Sequence, residues 1–294
     1  MELWSKKVLL NKRDGLFVAI SSGSNIVAYS KNGVKWKSSN TLSNKMWYGV
    51  TYGKGEFLAI SYGNSAVSHS KDGVNWIETS LPNIRDWGDI TYGNGKFVIV
   101  GCYSSIVAYS ENGIDWIETS LPNTSSWFRV IYANGRFIAI NRNSSTFAHS
   151  EDGVNWSSGT LGNVTNLSDI TYGNGKFVVT CQGSYSYAYS ENGIDWIVGN
   201  LPYHQQWYTI AYGKNKFVAI ANNSEQAVYS EDGVNWVGMT LPSKLSWSRI
   251  IYDNGKFVLL AINSDTALYS NDGVTWSSCK LPSSTAWFDI TYGG

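Results

Sequence analysis

The chain has little charge for its length and no excess of either sign: 22 basic and 22 acidic residues among 294. A duplex nucleic-acid binder gathers Lys and Arg into a patch. Here the two signs are interspersed, which argues against a nucleic-acid partner. No apolar run reaches the ~18 residues of a membrane helix, so no membrane insertion is expected. The opening MELWSKKVLLNKRDG breaks its short apolar stretch with lysines, unlike a secretory leader. Synthesis in the cytoplasm is therefore expected, with any later display on a virion or cell surface reached by another route. Cysteine is scarce and odd in number, Cys102, Cys181 and Cys279, with no Cys-x-x-Cys spacing. That supports neither a disulfide framework nor a zinc site, and three small apolar fillers are expected. With only 3 His, far apart in sequence, no metal or cofactor is expected. Sustained helical periodicity is also missing, so the chain should be all-β.

What is abundant is aromatic surface: 14 Trp, 19 Tyr and 10 Phe. Trp36, Trp76, Trp116, Trp156, Trp196, Trp236 and Trp276 recur every 40 residues without an insertion or deletion. A second series with the same period runs Trp47, Trp87, Trp127, Trp207, Trp247 and Trp287, with Leu167 in the missing place. Each repeat reads as four short strands, for example Phe128–Tyr132 first, then (one copy earlier) Lys96–Val100, Ile106–Ser110 and Ile114–Thr119. Turns such as Ala133-Asn134-Gly135 and Glu111-Asn112-Gly113 join them, because Asn and Gly accept positive φ cheaply. Four antiparallel strands per unit and seven units of 40 residues predict a seven-bladed β-propeller. Radial closure removes the exposed edges that one long sheet would leave.

The last strand, Trp287 to Tyr292, has nothing after it, and the chain's opening lacks a matching first strand. The C-terminal strand is expected to complete the N-terminal blade. Val8 to Lys12 competes for the same slot but lacks the Trp, Ile and Tyr. Residues 1–14 would then form an arm and 15–294 one propeller.

The turns Tyr109-Ser110-Glu111-Asn112-Gly113-Ile114-Asp115-Trp116 and His149-Ser150-Glu151-Asp152-Gly153-Val154-Asn155-Trp156 resemble the Asp-box of sialidase-like propellers. Gly directly follows Asp or Asn here, one residue sooner than in that pattern. The whole unit, over residues 16–292, resembles repeats of bacteriophage tail-associated and bacterial surface proteins. That resemblance implies a propeller fold and does not fix a function. Within the turns, Asn112 accompanies Asp115 and Asn192 accompanies Asp195, while Asp72 accompanies Asn75 and Asp152 accompanies Asn155. One carboxylate per turn, exchanged between two sites, predicts that the two side chains touch.

Comparison of the copies separates two faces. The first-to-second and third-to-fourth turns barely vary, whereas the second-to-third loops and linkers differ in nearly every copy. Binding residues concentrate on loops held by a rigid scaffold. The candidates are Tyr103, Arg142, Asn143, Tyr185, Asn222 and Asn223, together with Trp47, Trp87, Trp127, Trp207, Trp247 and Trp287 if their rings are exposed at the rim. Indoles beside amides and hydroxyls suit a sugar's apolar face and its oxygens. The competing reading buries these Trp between blades. A further position alternates in charge, Gly49, Asp89, Arg129, Asp169, Thr209, Arg249 and Asp289, and would neutralise itself if it faced the channel.

The three clustered arginines and Tyr–Glu pair that a sialidase resemblance would imply are not evident among 6 Arg, and no nucleophile or phosphate-loop motif occurs. No enzyme is expected. The first expectation is a non-catalytic, lectin-like carbohydrate- or cell-surface-binding adhesin, or a phage-tail receptor-binding module within a larger tail or surface assembly. Its partner would be a cell-surface glycan or protein receptor. The alternatives are a protein–protein interaction scaffold and a designed or freshly amplified repeat with no evolved ligand.

Overall fold

The structure, a computed structural model, describes residues 15–294. The expected arm 1–14, with the competing strand at 8–12, lies outside the described residues. The described chain forms 26 strands in five sheets, one of ten strands and four of four.

The four-stranded sheets follow chain order. In one, Trp87–Gly93, Lys96–Gly101, Ser104–Ser110 and Ile117–Ser125 pair antiparallel, each with the next. The two middle strands are apolar on both faces, and Phe97 to Val100 are all buried. Such double burial arises when a sheet is covered on both sides. Between this sheet and the next, Val98, Val100 and Val107 pack on Trp127, Val130, Phe137 and Ala139. The core is thus a series of apolar layers between successive sheets.

A second series of contacts carries the stacking around an axis. The Tyr of each first strand packs on the Phe of its own sheet, as Tyr92 does on Phe97 at 4.7 Å. Its ring also lies against the Gly of the preceding repeat, Tyr92 on Gly53 and Tyr132 on Gly93. The series returns on itself, because Tyr52 lies on Gly293 near the C-terminus. The C-terminal segment pairs with the opening strand over Leu16↔Gly293, Phe17↔Tyr292 and Ala19↔Ile290. This is the geometry of a β-propeller.

Local chemistry departs from the sequence reading in one element. The first-to-second connection is the expected tight hairpin, with Asn94 at φ 45° and Gly95 at φ 77°. The third-to-fourth connection is a longer wound turn, so the fourth strand starts at Ile117 rather than Ile114. Ser110 Oγ accepts from Gly113 N–H at 2.9 Å, and Asn112 Oδ1 accepts from the N–H groups of Ile114 and Asp115 at 2.9 Å. Side chains close this turn where a hairpin would use its own backbone. The exchanged pairs touch: Asn112 Nδ2 donates to Asp115 Oδ2 and Asn75 Nδ2 to Asp72 Oδ2, both at 2.8 Å. Trp116 packs beneath and donates Nε1–H to Gly113 O at 3.1 Å.

Candidate functional site

The six tryptophans proposed as sugar platforms are not at the surface. Trp47, Trp87, Trp127, Trp207, Trp247 and Trp287 are each 0% exposed. Their rings fill the layers between sheets, and most indole N–H groups tie the linker down: Trp47 to Ser43 O at 2.8 Å, Trp127 to Asn123 O at 3.1 Å and Trp287 to Ser283 O at 3.0 Å. The reason is size. An indole at the start of an inner strand is the group large enough to seal the wedge between two diverging sheets. Where Leu167 replaces Trp, Val164 from the linker is buried beside it.

The loop candidates remain at the surface but do not converge. Tyr103 is 67% exposed and Tyr185 51%, the latter set edge-on against His204 at 5.2 Å. Arg142 is half-buried with its guanidinium 4.4 Å over the Phe128 ring. Asn143 is exposed, and its N–H bonds Asn141 Oδ1 at 3.0 Å. Asn222 Oδ1 accepts from Ser246 Oγ at 3.3 Å, while Asn223 is exposed with φ 51°.

The residue after each Trp was missed in the sequence, and it matters more. Around the ring it reads Tyr48, Gly88, Phe128, Ser168, Tyr208, Ser248 and Phe288, large and small in near alternation. Tyr48 stacks on Phe288 at 3.9 Å and meets Tyr62 at 5.3 Å. Tyr62 N–H bonds Met46 O at 2.9 Å, and the Met46 methyl lies over Gly63. Burial and the neighbouring Asp86 carboxylate push the Tyr62 phenol up to about 12, with Tyr103 also close enough to contribute. Phe288, Tyr48 and Tyr62 therefore form one aromatic cluster, with the exposed Met46 and Tyr103 on the loops of the same face. The alternation of large and small residues was the available signal.

Inside the channel, the charged position forms a connected network. Arg249 Nη1 donates to Asp169 Oδ1 at 2.6 Å, Arg249 Nε lies 3.1 Å from Asp289 Oδ1, and Arg129 Nε lies 3.4 Å from Asp169 Oδ1. Asp89, Asp169, Asp289 and Arg129 are all buried. Beyond neutralising one another, these side chains serve backbone N–H groups freed by a bulge after each inner-strand Trp. Asp289 Oδ2 accepts from Val50 N–H at 2.8 Å, and Asp89 accepts from Ile90 and Val130 at 2.9 and 3.0 Å. Asp169 accepts from Ile170 and Ile210, both at 3.0 Å, and Thr209 Oγ1 from Ile250 at 3.1 Å. Gly49 and the arginines cannot accept, so each neighbouring carboxylate serves two N–H groups. Burial raises the Asp89 and Asp289 carboxyls above the usual range, against the pull of Arg129 and Arg249.

Toward the face of the repeated turns, cavities lie beside this network. Two cavities of about 280 and 270 Å³ open there, lined by Thr51, Thr91, Ile131, Thr171, Ile251 and the inner-strand tyrosines, with Arg249 in both. The variable-loop candidates line neither.

No protein-family model and no curated protein matches the chain. Its fold matches solved structures at low identity. A catalytically inactive virginiamycin B lyase from Staphylococcus aureus, solved with quinupristin, is 14% identical with a TM-score of 0.74, over 84% of this chain and 91% of the lyase. YCF48 bound to D1 peptide is 15% identical with a TM-score of 0.64, over 92% and 85%. Apo AztD from Citrobacter koseri is 11% identical with a TM-score of 0.56, over 95% and 97%. These are β-propellers, and so is this chain. The lyase shows that some propellers are enzymes. None of the three points to a lectin or a phage-tail receptor-binding module. Together with the buried indoles, that overturns the carbohydrate- and cell-surface-adhesin reading.

Proposed function

We propose that the chain is a non-catalytic, seven-bladed propeller that docks a protein or peptide on the face of its divergent loops. The observation that carries this reading is the aromatic cluster Phe288–Tyr48–Tyr62, on the same face as the exposed Tyr103 and Met46. Exposure of 67% for Tyr103 and 46% for Met46 leaves apolar surface where a partner can reach it. Tyr and Met are enriched at protein interfaces, where a rigid ring buries large area at small entropic cost. Similar folds occur in the complexes of YCF48 with D1 peptide and of nidogen with laminin, the latter at 6% identity and TM-score 0.60.

Seven blades are supported by the Tyr–Phe pairs, which recur once per repeat from Phe17–Tyr292 at 4.8 Å to Tyr252–Phe257 at 4.7 Å. The strands Lys256–Ser270 and Ser277–Gly293, of 15 and 17 residues, each span what are two strands elsewhere. Reading each as two gives every repeat four. Against catalysis, burial pushes the Cys102 and Cys279 thiols up to about 11 and Cys181 to about 12, away from the thiolate a nucleophile needs.

The test is selection from a displayed random-peptide library on immobilised protein. Peptides enriched on the wild type should lose binding to Met46→Ser/Tyr103→Ser and keep it with Ile77→Ser/Ile114→Ser on the outer rim. Enriched peptides that hold equally to the Met46/Tyr103 variant would sink the proposal, as would a library that yields none.

A further inference from the structure

We propose that Asn134 is a self-modification site, the Asn-Gly pair at which the folded chain deamidates first. Seven such pairs occur, three in wound turns (Asn32, Asn112, Asn192) and four at hairpin tips (Asn94, Asn134, Asn174, Asn254). Each is chemically poised, because Asn is thermolabile and a following Gly has no Cβ to shield its nitrogen. The Gly nitrogen gives its proton to solvent base and attacks the Asn Cγ, the Cγ–Nδ2 bond breaks, and ammonia leaves. Water then opens the succinimide at either carbonyl, leaving an aspartate or an isoaspartate. One water is consumed for each ammonia released, and nothing is oxidised or reduced. The site is independent of the docking reading, since it lies on the face of the repeated turns.

The fold separates the seven. In the wound turns both reacting groups are held. Gly113 N–H donates to Ser110 Oγ, Asn112 Oδ1 accepts two backbone N–H groups, and a Cβ on Gly113 would stand 2.9 Å from Leu58. Asn192 and Gly193 repeat this with Ser190 and Ile138, and Asn32 and Gly33 with Ser30 and Val258. The hairpin tips are open instead. Their Asn and Gly are exposed, and nothing stands within 4 Å of a Cβ on Gly95, Gly135, Gly175 or Gly255. Three of the four are tied to a wound turn of the following sheet. Asn94 Nδ2 donates to Glu151 O at 3.0 Å, Asn174 Nδ2 to Glu231 O at 3.2 Å and Asn254 Nδ2 to Lys31 O at 3.1 Å. Each tie fixes the amide, so Cγ reaches the Gly nitrogen only after the bond breaks. Among the described residues, Asn134 is the hairpin Asn-Gly asparagine without a side-chain hydrogen bond. Its amide is untethered at a two-residue tip, outside the ladder that ends at Ala133↔Arg136.

Incubation of the intact protein in mildly alkaline buffer, below its melting temperature, tests the order, read by mass spectrometry of tryptic peptides. Val130–Arg136 reports Asn134, and Ile250–Lys256 reports Asn254. Asn134 should react about fivefold faster than Asn254, the rate equivalent of one net hydrogen bond, and the wound-turn asparagines more slowly than both. In urea the two rates should converge, because the pairs are locally alike. Methyl transfer by an isoaspartyl methyltransferase should label position 134 first, since ring opening yields an isoaspartate that plain amide hydrolysis would not. Asn94→Asp, which sets a carboxylate against Glu151 O, should lower the melting temperature, whereas Asn134→Asp should leave it unchanged. Asn254 or a wound-turn asparagine keeping pace with Asn134 in the folded protein would overturn the proposal. So would the same ratio persisting in urea, unlabelled aspartate as the sole product, or equal melting of the two Asp variants.

Discussion

Gly293 and Tyr52 come from opposite ends of the chain, yet a Cβ on Gly293 would stand 2.0 Å from Cγ of the Tyr52 ring. The same approach recurs at Gly173 with Tyr212 and Gly213 with Tyr252, each at 1.9 Å. These glycines are kept for close approach rather than for positive φ, since none has a left-handed backbone. Ala133 and Asp253 stand at the equivalent places, so the fold admits a side chain there if the neighbouring ring gives way. Gly293→Ala should therefore destabilise by about 1–3 kcal/mol, the ordinary cost of overpacking. Urea denaturation measures it, and an unchanged midpoint would show that the seam where the chain's ends meet is loosely packed.

The wound turns make stability depend on acid. Burial raises Asp72, but hydrogen bonds from the Asn75 and Val74 backbone and from the Asn75 and Ser70 side chains outweigh it and bring the carboxyl to about 2. Asp272 also reaches about 2, and Asp152 and Asp232 lie lower still. A carboxyl depressed in the folded state stabilises above its unfolded value of about 3.9, and that contribution is lost as pH falls through the folded value. The melting temperature should drop between about pH 4 and pH 2. The fourfold Asp→Asn variant at 72, 152, 232 and 272 should start lower and fall less over that window. Parallel pH profiles for the two proteins would count against these turns as the acid-sensitive element.

The exchanged pairs give a sharper test. Asp152→Asn alone sets two amides face to face and should cost about 1 kcal/mol, the scale of a lost side-chain cap. Adding Asn155→Asp recreates the arrangement of Asn112 and Asp115 and should recover most of it. A double variant no better than the single one would show that position, and not pairing, decides.

Much of this was legible because the repeat is its own control. Period, four-strand units and the touching Asp/Asn pairs follow from residues that recur or trade places, and hairpins such as Asn94-Gly95 follow from turn chemistry. The fate of the tryptophans was not legible. A Trp beginning an inner strand is compatible with a rim platform and with an inter-sheet wedge, and only the angle between sheets decides. The charged ring was half legible. Alternation of sign suggested neutralisation, but the need for one acceptor per two backbone N–H groups depends on a bulge with no sequence signature of its own.

That ring predicts unequal sensitivity within a chemically similar set. Asp169 is 0% exposed and accepts from Ile170, Ile210, Thr209 and Arg249. Asp169→Asn removes the charge that holds both arginines and should cost about 3–5 kcal/mol, as for a broken buried ion pair. Asp89→Asn should cost less, because burial already disfavours its charge and no guanidinium bonds it directly. Denaturant titration of both variants ranks them, and the reverse order would mean that backbone acceptance, rather than charge, sets the cost.

The missing tryptophan provides the last test. Beside Leu167, Val164 is 2% exposed, whereas Ile84 at the equivalent linker place is 74% exposed. The linker of this repeat has turned inward, and Val164 fills volume that an indole occupies elsewhere. Its outer strand is correspondingly short, Ser157–Thr160 against Ile117–Ser125. Leu167→Trp alone should destabilise by about 1–3 kcal/mol through overpacking. Val164→Ser alone should also destabilise, by leaving a void lined by Leu161 and Leu167. The double variant should be more stable than the sum of the two losses, with a coupling of about 1 kcal/mol or more between residues in contact. Strict additivity in a thermodynamic cycle would show that the two positions do not share one space.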